Sequence, residues 1–376
     1  MFKDIETPQL ILDKTRLEAN CQRILGIADK HKILLRPHVK TSKCVEVANI
    51  ATAGRMNKIT VSTLKEAAYF AKNGYSDIMY AVGIAAHKLA HVKQIQDDFV
   101  GTNLLLITDN VTTAQACVDF AEAQKIVLNI LIEIDCGEHR GGVQAEGRDL
   151  VAVAKVLTSS NVICFKGVMT HGGHSYACQA ISEIQDIAEI ERQAVVTASQ
   201  RLAALNIPCE IVSAGSTPTF LHAKSFLGLT EARCGVYVFF DLAQYSRNIC
   251  ALDDIALSVL TTVIGHNKQG GTVLIDAGAF ALSKDTSANT FRPDVGYGYV
   301  CDPITLKPYE GLSVAVVHQE HGAIPVAHED WYKKLPIGAQ VRVLPNHACV
   351  TAAAYEDYFV VEDGVFSGIW PRVNGW

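Results

Sequence analysis

The chain lacks long apolar runs and an excess of basic residues. It contains no stretch of about 18 apolar residues, so we expect no membrane-spanning helix. Residues 1–15, charged from Lys3 onward, lack the apolar core of a signal peptide. The 33 basic and 39 acidic side chains give a formal net charge of −6, which argues against a dedicated nucleic-acid-binding protein. We therefore expect a cytoplasmic protein that binds neither membranes nor nucleic acids.

Closely spaced cysteine pairs are also absent. The eleven cysteines are scattered along the chain, and no two of them form a CxxC motif. This pattern is typical of a cytosolic protein with reduced thiols, most of them small core residues. Apolar residues make up 49% of the chain and charged residues 19%, an ordinary globular composition. The length of 376 residues predicts one large barrel with a second module, or two to three small domains.

Short apolar runs alternate with helical patterns, such as 64–74 and 111–124, through the first two thirds of the chain. Continuous apolar runs are typical of parallel strands that are buried on both faces. Their alternation with helices predicts an α/β fold, a (β/α)8 TIM barrel. A doubly wound sheet is the alternative, although no GxGxxG motif follows the first strand. Eight such runs are present, at 32–40, 58–63, 77–83, 103–110, 126–135, 162–171, 209–216 and 231–241.

The pattern changes after about residue 250. Strand-like segments joined by Gly, Asn and Asp turns replace the helical patterns, which predicts an all-β C-terminal domain. We therefore place the barrel at 14–245 and the β-rich domain at 246–376. The extended stretch TPQLILD lies within residues 1–13, which we expect to add a strand to the second domain.

Polar residues and glycines collect at the ends of the predicted barrel strands. The active sites of (β/α)8 enzymes lie at this end of the barrel. Loops are polar in any protein, so a single case is weak evidence, but five cases at the same end favour a functional site. The five segments are RPHVKTSK with Lys40, DCGEHRGGV with Arg140, THGGHSY with Tyr176, SAGSTPT and RCGVY.

Two of these segments are suited to binding a phosphate group. The stretch AGSTPT offers the backbone N–H near Gly215 and the hydroxyls of Ser216 and Thr217 at the start of a predicted helix. An ordinary Ser/Thr helix cap is the alternative. The neighbouring CGVY, with Gly235 and Tyr237, would add N–H donors from the next strand. Barrels often bind phosphate between the loops that follow strands 7 and 8.

Lys40 follows the first predicted strand. A buried lysine has a lowered pKa and can form a Schiff base, whereas a lone lysine at a strand end is commonly a solvated surface residue. A lysine combined with a phosphate site in the loops after strands 7 and 8 predicts pyridoxal 5′-phosphate (PLP), an aldehyde with a phosphate group.

A candidate metal pair lies near the C-terminus, in LPNHACVTA. If this segment is a strand, His347 and Cys349 point to the same face. An imidazole and a thiol provide half of a zinc site, and water or substrate would complete it. The alternative is a turn histidine beside a core cysteine. The nearby HQEHG (318–322) is a substrate contact, a group that hydrogen-bonds to a metal ligand, or a solvated turn.

Seven motifs together resemble the D-serine dehydratase and D-threonine aldolase family. They are RPHVKTSK, HRGGV, THGGHSY, GSTPT, GVYVFFD, GYG and PNHAC, in this order along the chain. Members of the family, among them the D-threo-3-hydroxyaspartate dehydratases, are PLP enzymes of the alanine racemase fold type. The resemblance implies that Lys40 is the Schiff-base lysine and that Arg140 lies near the phenolic oxygen of PLP. It further implies a phosphate cradle of Ser216, Thr217, Gly235 and Tyr237, and it places Tyr176 in a segment that lines the cofactor.

The resemblance also implies a metal site at His347 and Cys349. The second ligand is usually aspartate in the aldolase branch and cysteine, with zinc, in the dehydratase branch. We therefore expect dehydration of D-serine, D-threonine or D-threo-3-hydroxyaspartate to a 2-oxo acid and ammonia, in a homodimer. The alternatives are an aldolase that yields glycine and an aldehyde, a racemase, and a PLP-binding protein without activity. The roles of His38, His171 and His174 stay open.

Overall fold

A computed structural model of the chain describes residues 2, 4–54 and 58–376. The chain forms two compact units. The first, which we call the β unit, comprises Met1–Gln22 and Val236–Asn374. The second, the barrel unit, comprises Arg23–Gly235 and Gly375–Trp376. The predicted domain limits, 14–245 and 246–376, stay predictions.

The strands are numbered in chain order. The first ten are β1 (Gln9–Asp13), β2 (Leu34–Leu35), β3 (Lys58–Val61), β4 (Asp77–Gly83), β5 (Asn103–Thr108), β6 (Leu128–Asp135), β7 (Val143–Gln144), β8 (Ile163–Met169), β9 (Ile211–Ala214) and β10 (Glu231–Ala232). The others are β11 (Leu257–Asn267), β12 (Thr272–Ile275), β13 (Gly298–Cys301), β14 (Pro308–Ser313), β15 (Val316–Val317), β16 (Gly322–Pro325), β17 (Gln340–Pro345), β18 (Asp357–Glu362) and β19 (Val365–Pro371).

The α-helices of the described residues are numbered in the same way. They are α1 (Lys14–His31), α2 (Val45–Thr52), α3 (Leu64–Lys72), α4 (Leu89–Asp98), α5 (Val111–Gln124), α6 (Arg148–Leu157), α7 (Ile181–Ala203), α8 (Thr217–His222), α9 (Leu242–Ser246), α10 (Ala279–Leu282), α11 (Asp330–Lys334) and α12 (Ala348–Ala352).

The barrel unit contains the predicted eight-stranded parallel barrel. Its strands lie in the order β2-β10-β9-β8-β6-β5-β4-β3, and β7 pairs only with β6. A parallel bridge between His38 and Thr60 connects the two ends of this order. The backbone N–H of Thr60 donates to the carbonyl of Pro37 at 2.8 Å, and that of Val39 donates to the carbonyl of Thr60 at 2.9 Å. The predicted α/β barrel is therefore confirmed.

Both faces of the barrel strands are buried, as their apolar runs indicate. Alternate residues of a strand point to opposite faces, and in β5 Leu104 and Leu106 belong to one buried cluster while Leu105 and Ile107 belong to another. The larger cluster includes residues of the surrounding helices, such as Val118 of α5. The smaller one unites alternate residues of five neighbouring strands, namely Met79, Leu105, Ile107, Leu131, Met169 and Ile211.

The β unit is built on a mostly antiparallel sheet, as the sequence predicts. Its main path is β14-β13-β17-β11-β1-β18-β19, and β12, β15 and β16 extend from β11. The N-terminal strand β1 pairs with β11 on one side and with β18 on the other. Helices α9 to α12 are short, with five, four, five and five residues.

Candidate active site

The segment after β2 carries two cations, Arg36 and Lys40, which lie four residues apart in different environments: one is buried and one is exposed. Arg36 is fully buried; its Nε lies 2.8 and 3.0 Å from the carboxylate oxygens of Glu231, and its Nη1 lies 2.7 Å from Asp77. Burial alone would lower the pKa of Arg36, but Glu231 and Asp77 raise it. Lys40 is exposed at the turn beyond. Arg36 is thus part of a buried ion-pair network, and Lys40 keeps its amine available.

His38 and His171 lie close to Lys40 and are uncharged. Burial, followed by the charge of Lys40, holds the pKa of His38 well below its usual range. The same two causes lower the pKa of His171 to about 3. The Nδ1 of His171 lies 3.0 Å from the carbonyl oxygen of Gly215. Because that oxygen can only accept, Nδ1 carries the proton and Nε2 keeps a lone pair. His171 therefore offers an acceptor at Nε2.

Arg140 and His171 line the same pocket, with Glu133, Asp135 and Glu138 among the other residues that line it. The Arg140 guanidinium is exposed and lies 3.5 Å from the Glu138 carboxylate. Burial raises the pKa of Glu133, an effect that the charge of Arg140 opposes. The pocket thus contains an exposed cation suited to bind an anionic oxygen.

The loops after β9 and β10 meet in the predicted phosphate cradle. Ser216 caps α8: its Oγ accepts the N–H of Thr219 at 3.3 Å, and its own N–H donates to Thr219 Oγ1 at 2.8 Å. The N–H of Gly235 donates to Thr217 Oγ1 at 3.4 Å. Gly215 has φ +132°, and a Cβ there would lie 2.2 Å from the Arg233 carbonyl oxygen, so only glycine fits. The helix-cap alternative therefore describes Ser216, and the hydroxyl of Thr217 lies beside the N–H of Gly235.

The region around Gly235 differs from the prediction in secondary structure. The predicted strand 231–241 ends after Ala232, and Val236–Val238 form a short 3-10 helix. Gly235 therefore lies in a loop and not in a strand, because pairing with β2 and β9 involves only Glu231 and Ala232. Tyr237 is fully buried and belongs to the β unit.

Tyr176 lies in a second 3-10 helix, Gly173–Ala177, in the loop after β8. Its ring centroid is 6.5 Å from that of His171, and the rings are tilted by 45°. The neighbouring Ser175 places its Oγ 3.1 Å from the Ser216 Oγ. The loop after β8 therefore contacts the cradle, while the roles of Tyr176 and Tyr237 stay predictions.

The candidate metal pair lies in the β unit. The strand predicted for this segment is wrong, because the segment begins a helix. His347 is the N-cap of α12, with φ −137° and ψ 107°, and Cys349 lies in the first turn of that helix. The strand β17 ends at Pro345, and the N–H of Ala348 donates to Asp241 at 2.9 Å in the first turn of the helix. The side chains of His347 and Cys349 still contact each other through a hydrogen bond.

Asp285 holds the imidazole of His347. Its Oδ2 lies 2.7 Å from the Nδ1 of His347. Burial alone would lower the pKa of His347, but hydrogen bonds with Asp285 and Cys349 and the charge of Asp241 raise it to about 11. The hydrogen bond from His347 lowers the pKa of Asp285. The ring is thus fixed in one orientation from its Nδ1 side.

The residues present fit both groups that the sequence implies. An exposed lysine, an exposed arginine and two neighbouring hydroxyls are suited to an aldehyde with an anionic oxygen and a phosphate. A thiol in contact with an imidazole is a donor set that favours zinc. Within residues 2, 4–54 and 58–376, no cluster of three or more His, Cys, Asp or Glu side chains is arranged to hold a metal ion. Water or substrate would therefore have to complete the shell.

Several residues of the site were not among the predicted ones. Glu191 and Arg233 are buried beneath the loops after β8 and β9, and Asp285 orients His347. Glu191 had a signal in the sequence, because it lies on the apolar stripe of α7 between Ala188 and Val195. Asp285 had none, because its partner is 62 positions away.

The comparisons with known proteins cover nearly the whole chain. The model of the alanine racemase N-terminal domain matches residues 12–243, and that of a putative serine dehydratase domain matches residues 256–361. The chain is 40% identical to a D-threo-3-hydroxyaspartate dehydratase from Delftia sp. (strain HT23), over 99% of this chain and 98% of that one. A solved structure of that enzyme has a TM-score of 0.96 with this structure, and the match covers 100% of this chain and 99% of that one.

Two further relatives are more distant. A D-serine dehydratase from Dictyostelium discoideum is 30% identical over 96% of this chain and 95% of its own. A D-threonine aldolase from Arthrobacter sp. is 28% identical over 97% of this chain and 92% of its own. In the part of the chain that the structure describes, no helix has the length and apolarity to cross a membrane. From these matches and the fold, the chain belongs to the D-serine dehydratase and D-threonine aldolase family of PLP-dependent enzymes with the alanine racemase fold.

Proposed function

We propose that the chain is a PLP- and metal-dependent dehydratase, which converts a D-3-hydroxy amino acid to a 2-oxo acid and ammonia. The observation that carries this proposal is the contact between His347 and Cys349, with Asp285 on the imidazole. In the family that the chain resembles, the second metal ligand is usually cysteine in the dehydratase branch and aspartate in the aldolase branch, and this chain has Cys349 there. The Delftia and Dictyostelium dehydratases are 40% and 30% identical to this chain, and the Arthrobacter aldolase is 28% identical.

The barrel unit would hold PLP and move the proton at Cα. Lys40 would bind the aldehyde carbon, Arg140 the phenolic oxygen, and Ser216 and Thr217 the phosphate. When bound, PLP supplies an electron sink for the negative charge that develops at Cα. The Nζ of Lys40, once released by the substrate amine, would take the Cα proton as a general base. His171, which is neutral, adds no competing charge beside this amine.

The β unit would hold a zinc ion through His347 and Cys349. When bound, zinc supplies a Lewis acid for the β-hydroxyl, a poor leaving group. Asp285 keeps the His347 ring in place, as carboxylates do beside metal-bound histidines. One solved structure of a D-threo-3-hydroxyaspartate dehydratase is a cysteine-to-alanine mutant in a metal-free form, and another is a histidine-to-alanine mutant two positions earlier. That spacing equals the one between His347 and Cys349, which supports a metal at this pair.

We propose D-threo-3-hydroxyaspartate as the preferred substrate, with D-serine and D-threonine as poorer ones, because the Delftia relative is 40% identical over the whole length. A homodimer is part of the same proposal and rests on the resemblance alone. Sedimentation velocity of the purified holoprotein checks it, and a monomer at all concentrations would contradict it.

A product assay with the three D-amino acids tests the reaction. The purified protein, loaded with PLP, is assayed for 2-oxo acid, ammonia, glycine and aldehyde, before and after EDTA treatment and after zinc is restored. We expect 2-oxo acid and ammonia in equal amounts, lost with EDTA and recovered with zinc. Glycine with an aldehyde would assign the chain to the aldolase reaction instead. Activity that survives EDTA would exclude the metal role of His347 and Cys349.

Two variants separate the parts of the proposal. Lys40→Ala should abolish turnover and remove the visible absorption band of lysine-bound PLP. His347→Ala should abolish turnover but keep that band, because Lys40 is unchanged. Full activity of either variant on all three substrates would overturn the corresponding assignment.

A further inference from the structure

Glu191 is a charged residue at a core position of α7. Its side chain is 2% exposed, and it takes its place in the buried stripe of the helix between Ala188 and Val195. Neither of these neighbours on the stripe can form a side-chain hydrogen bond. A buried carboxylate is costly unless hydrogen-bond donors surround it. The position therefore calls for an explanation in the contacts that Glu191 makes.

One carboxylate oxygen of Glu191 joins two active-site loops. Its Oε1 accepts the backbone N–H of Gly172, in the loop after β8, at 2.5 Å. The same atom accepts the backbone N–H of Gly215, after β9, at 3.0 Å. The hydroxyl of Thr219 provides a third donor to this carboxylate. Burial raises the pKa of Glu191, and these three donors oppose that rise.

These donors are directly adjacent to two residues of the candidate site. Gly172 follows His171 in the chain, and the carbonyl of Gly215 accepts from the Nδ1 of His171. Thr219 accepts the N–H of Ser216 at 2.8 Å, and the two hydroxyl oxygens lie 2.9 Å apart. The carboxylate therefore reaches His171 through the backbone on both sides and reaches Ser216 through Thr219.

We propose that Glu191 is a positioning residue for the cofactor site, which joins the loops after β8 and β9 and so orients His171 and Ser216. The inference rests on the proposed function only in that the barrel unit binds PLP. Glu191 itself would not touch PLP or substrate. Its effect passes through the ring orientation of His171 and the hydroxyl direction of Ser216.

A carboxylate suits this position better than an amide. An ionised carboxylate only accepts, so all three donors can bond to it at once. A glutamine side chain has one acceptor oxygen and an NH2 group that only donates. In Glu191→Gln the hydroxyl of Thr219 would face the glutamine NH2 group and would have to accept a hydrogen bond from it instead of donating one. Its oxygen already accepts the N–H of Ser216. The Ser216 hydroxyl would then lose its set direction.

The affinity for PLP tests the proposal without an activity assay. Apoprotein of wild type and Glu191→Gln is titrated with PLP, and the dissociation constant is obtained from absorption and from tryptophan fluorescence. We expect the constant of Glu191→Gln to rise about tenfold, as for the loss of a charged hydrogen bond. Thr219→Val should weaken PLP binding about threefold or more, and the double variant should be no weaker than Glu191→Gln alone.

Asp276 supplies the matched control. It is half-buried in the β unit, and its Oδ1 accepts the N–H of Thr262 at 2.9 Å and the hydroxyl of Thr261 at 2.6 Å. Asp276→Asn should lower the melting temperature and leave the PLP dissociation constant within about twofold. If Glu191→Gln behaves in the same way, Glu191 is only structural and the proposal is wrong. If Glu191→Gln does not fold, Thr219→Val decides. If wild type binds no PLP, the proposed function itself fails.

Discussion

At the scale of single residues, partners decide what each charged group can do. Arg36 and Lys40 are four positions apart, but Arg36 is neutralised by Glu231 and Asp77 while Lys40 remains exposed. In the β unit, Asp241 and Asp285 likewise differ in their partners: one serves the backbone and the other contacts a candidate site residue. Asp241 is fully buried and starts a helix, whereas Asp285 bonds to the imidazole of His347. Local sequence does not distinguish the members of either pair.

Asp285→Asn should weaken zinc binding. The amide can still contact His347, but it removes the charge that fixes the ring and makes the imidazole a better ligand. Substitutions of such carboxylates typically cost about 10–100-fold in metal affinity. Competition with a chromogenic chelator measures this on the purified protein.

Asp294→Asn is the control for this measurement. Asp294 lies in the same region of the β unit, and its Oδ2 accepts from the hydroxyl of Tyr299 at 2.5 Å. Its substitution should leave zinc affinity unchanged. Equal affinity of wild type and Asp285→Asn would show that Asp285 does not support the metal pair.

At the scale of elements, the loop after β6 shows how a single side chain shapes a segment. One carboxylate oxygen of Asp135 accepts the N–H groups of Gly137 and His139 at 2.8 and 3.1 Å. The other lies 2.7 Å from the His139 ring and accepts from Gln144 at 2.9 Å. The segment that carries Arg140 is therefore wound around Asp135.

Asp135→Asn should destabilise the protein in a pH-dependent manner. Burial alone would raise the pKa of Asp135, but the N–H groups of Gly137 and His139 lower it below the usual value. A lowered folded-state pKa adds stability above the unfolded pKa of about 3.9, and this contribution is lost as the pH falls through the folded pKa. We expect a loss of about 1–3 kcal/mol at neutral pH that shrinks below about pH 4.

Urea unfolding of wild type and Asp135→Asn, at neutral pH and below about pH 4, measures this difference in the free energy of unfolding. Asp119→Asn is the control, since Asp119 is exposed on α5 and should change the free energy of unfolding by less than about 0.5 kcal/mol. A loss of equal size at neutral and acid pH would contradict the proposed role of the Asp135 charge.

At the scale of the whole molecule, the two ends of the chain build one sheet. Ile11 of β1 pairs with Ser258 of β11 and with Phe359 of β18. It is fully buried and packs with Phe2, Leu260 and Val361. The sheet whose strand β17 leads to the candidate metal pair thus depends on a strand from the start of the chain.

Ile11→Ala should destabilise the β unit by about 2–5 kcal/mol, through lost apolar burial and the cavity that remains. Two of the three tryptophans, Trp331 and Trp370, lie in this unit, so unfolding followed by tryptophan emission reports on it. Ile337→Ala is the control, because Ile337 is 65% exposed. If Ile11→Ala and Ile337→Ala unfolded at the same urea concentration, the inference that the sheet depends on β1 would be wrong.

Much of the barrel was predictable because its signals are local. All eight predicted runs contain a barrel strand, and the polar segments lie at the ends where that fold places its sites. The run at 231–241 was less predictable, because only Glu231 and Ala232 find partners in the sheet. His347 and Cys349 were predicted as a metal pair from residue type and from the resemblance, and the strand expected for them is a helix start.

By itself, the amino-acid sequence determined the eight barrel strands and their alternation with helices, the β-rich character of the second domain and the family, and it supplied the candidate site residues. Apolar periodicity and short motifs involve neighbours in the chain, so they can be read without coordinates. Only the tertiary structure decided that Arg36 is neutralised, that Asp285 holds His347, and that Glu191 joins two loops. The physical reason is that each depends on a hydrogen bond or ion pair between residues 19 or more positions apart, which burial strengthens and local sequence does not record.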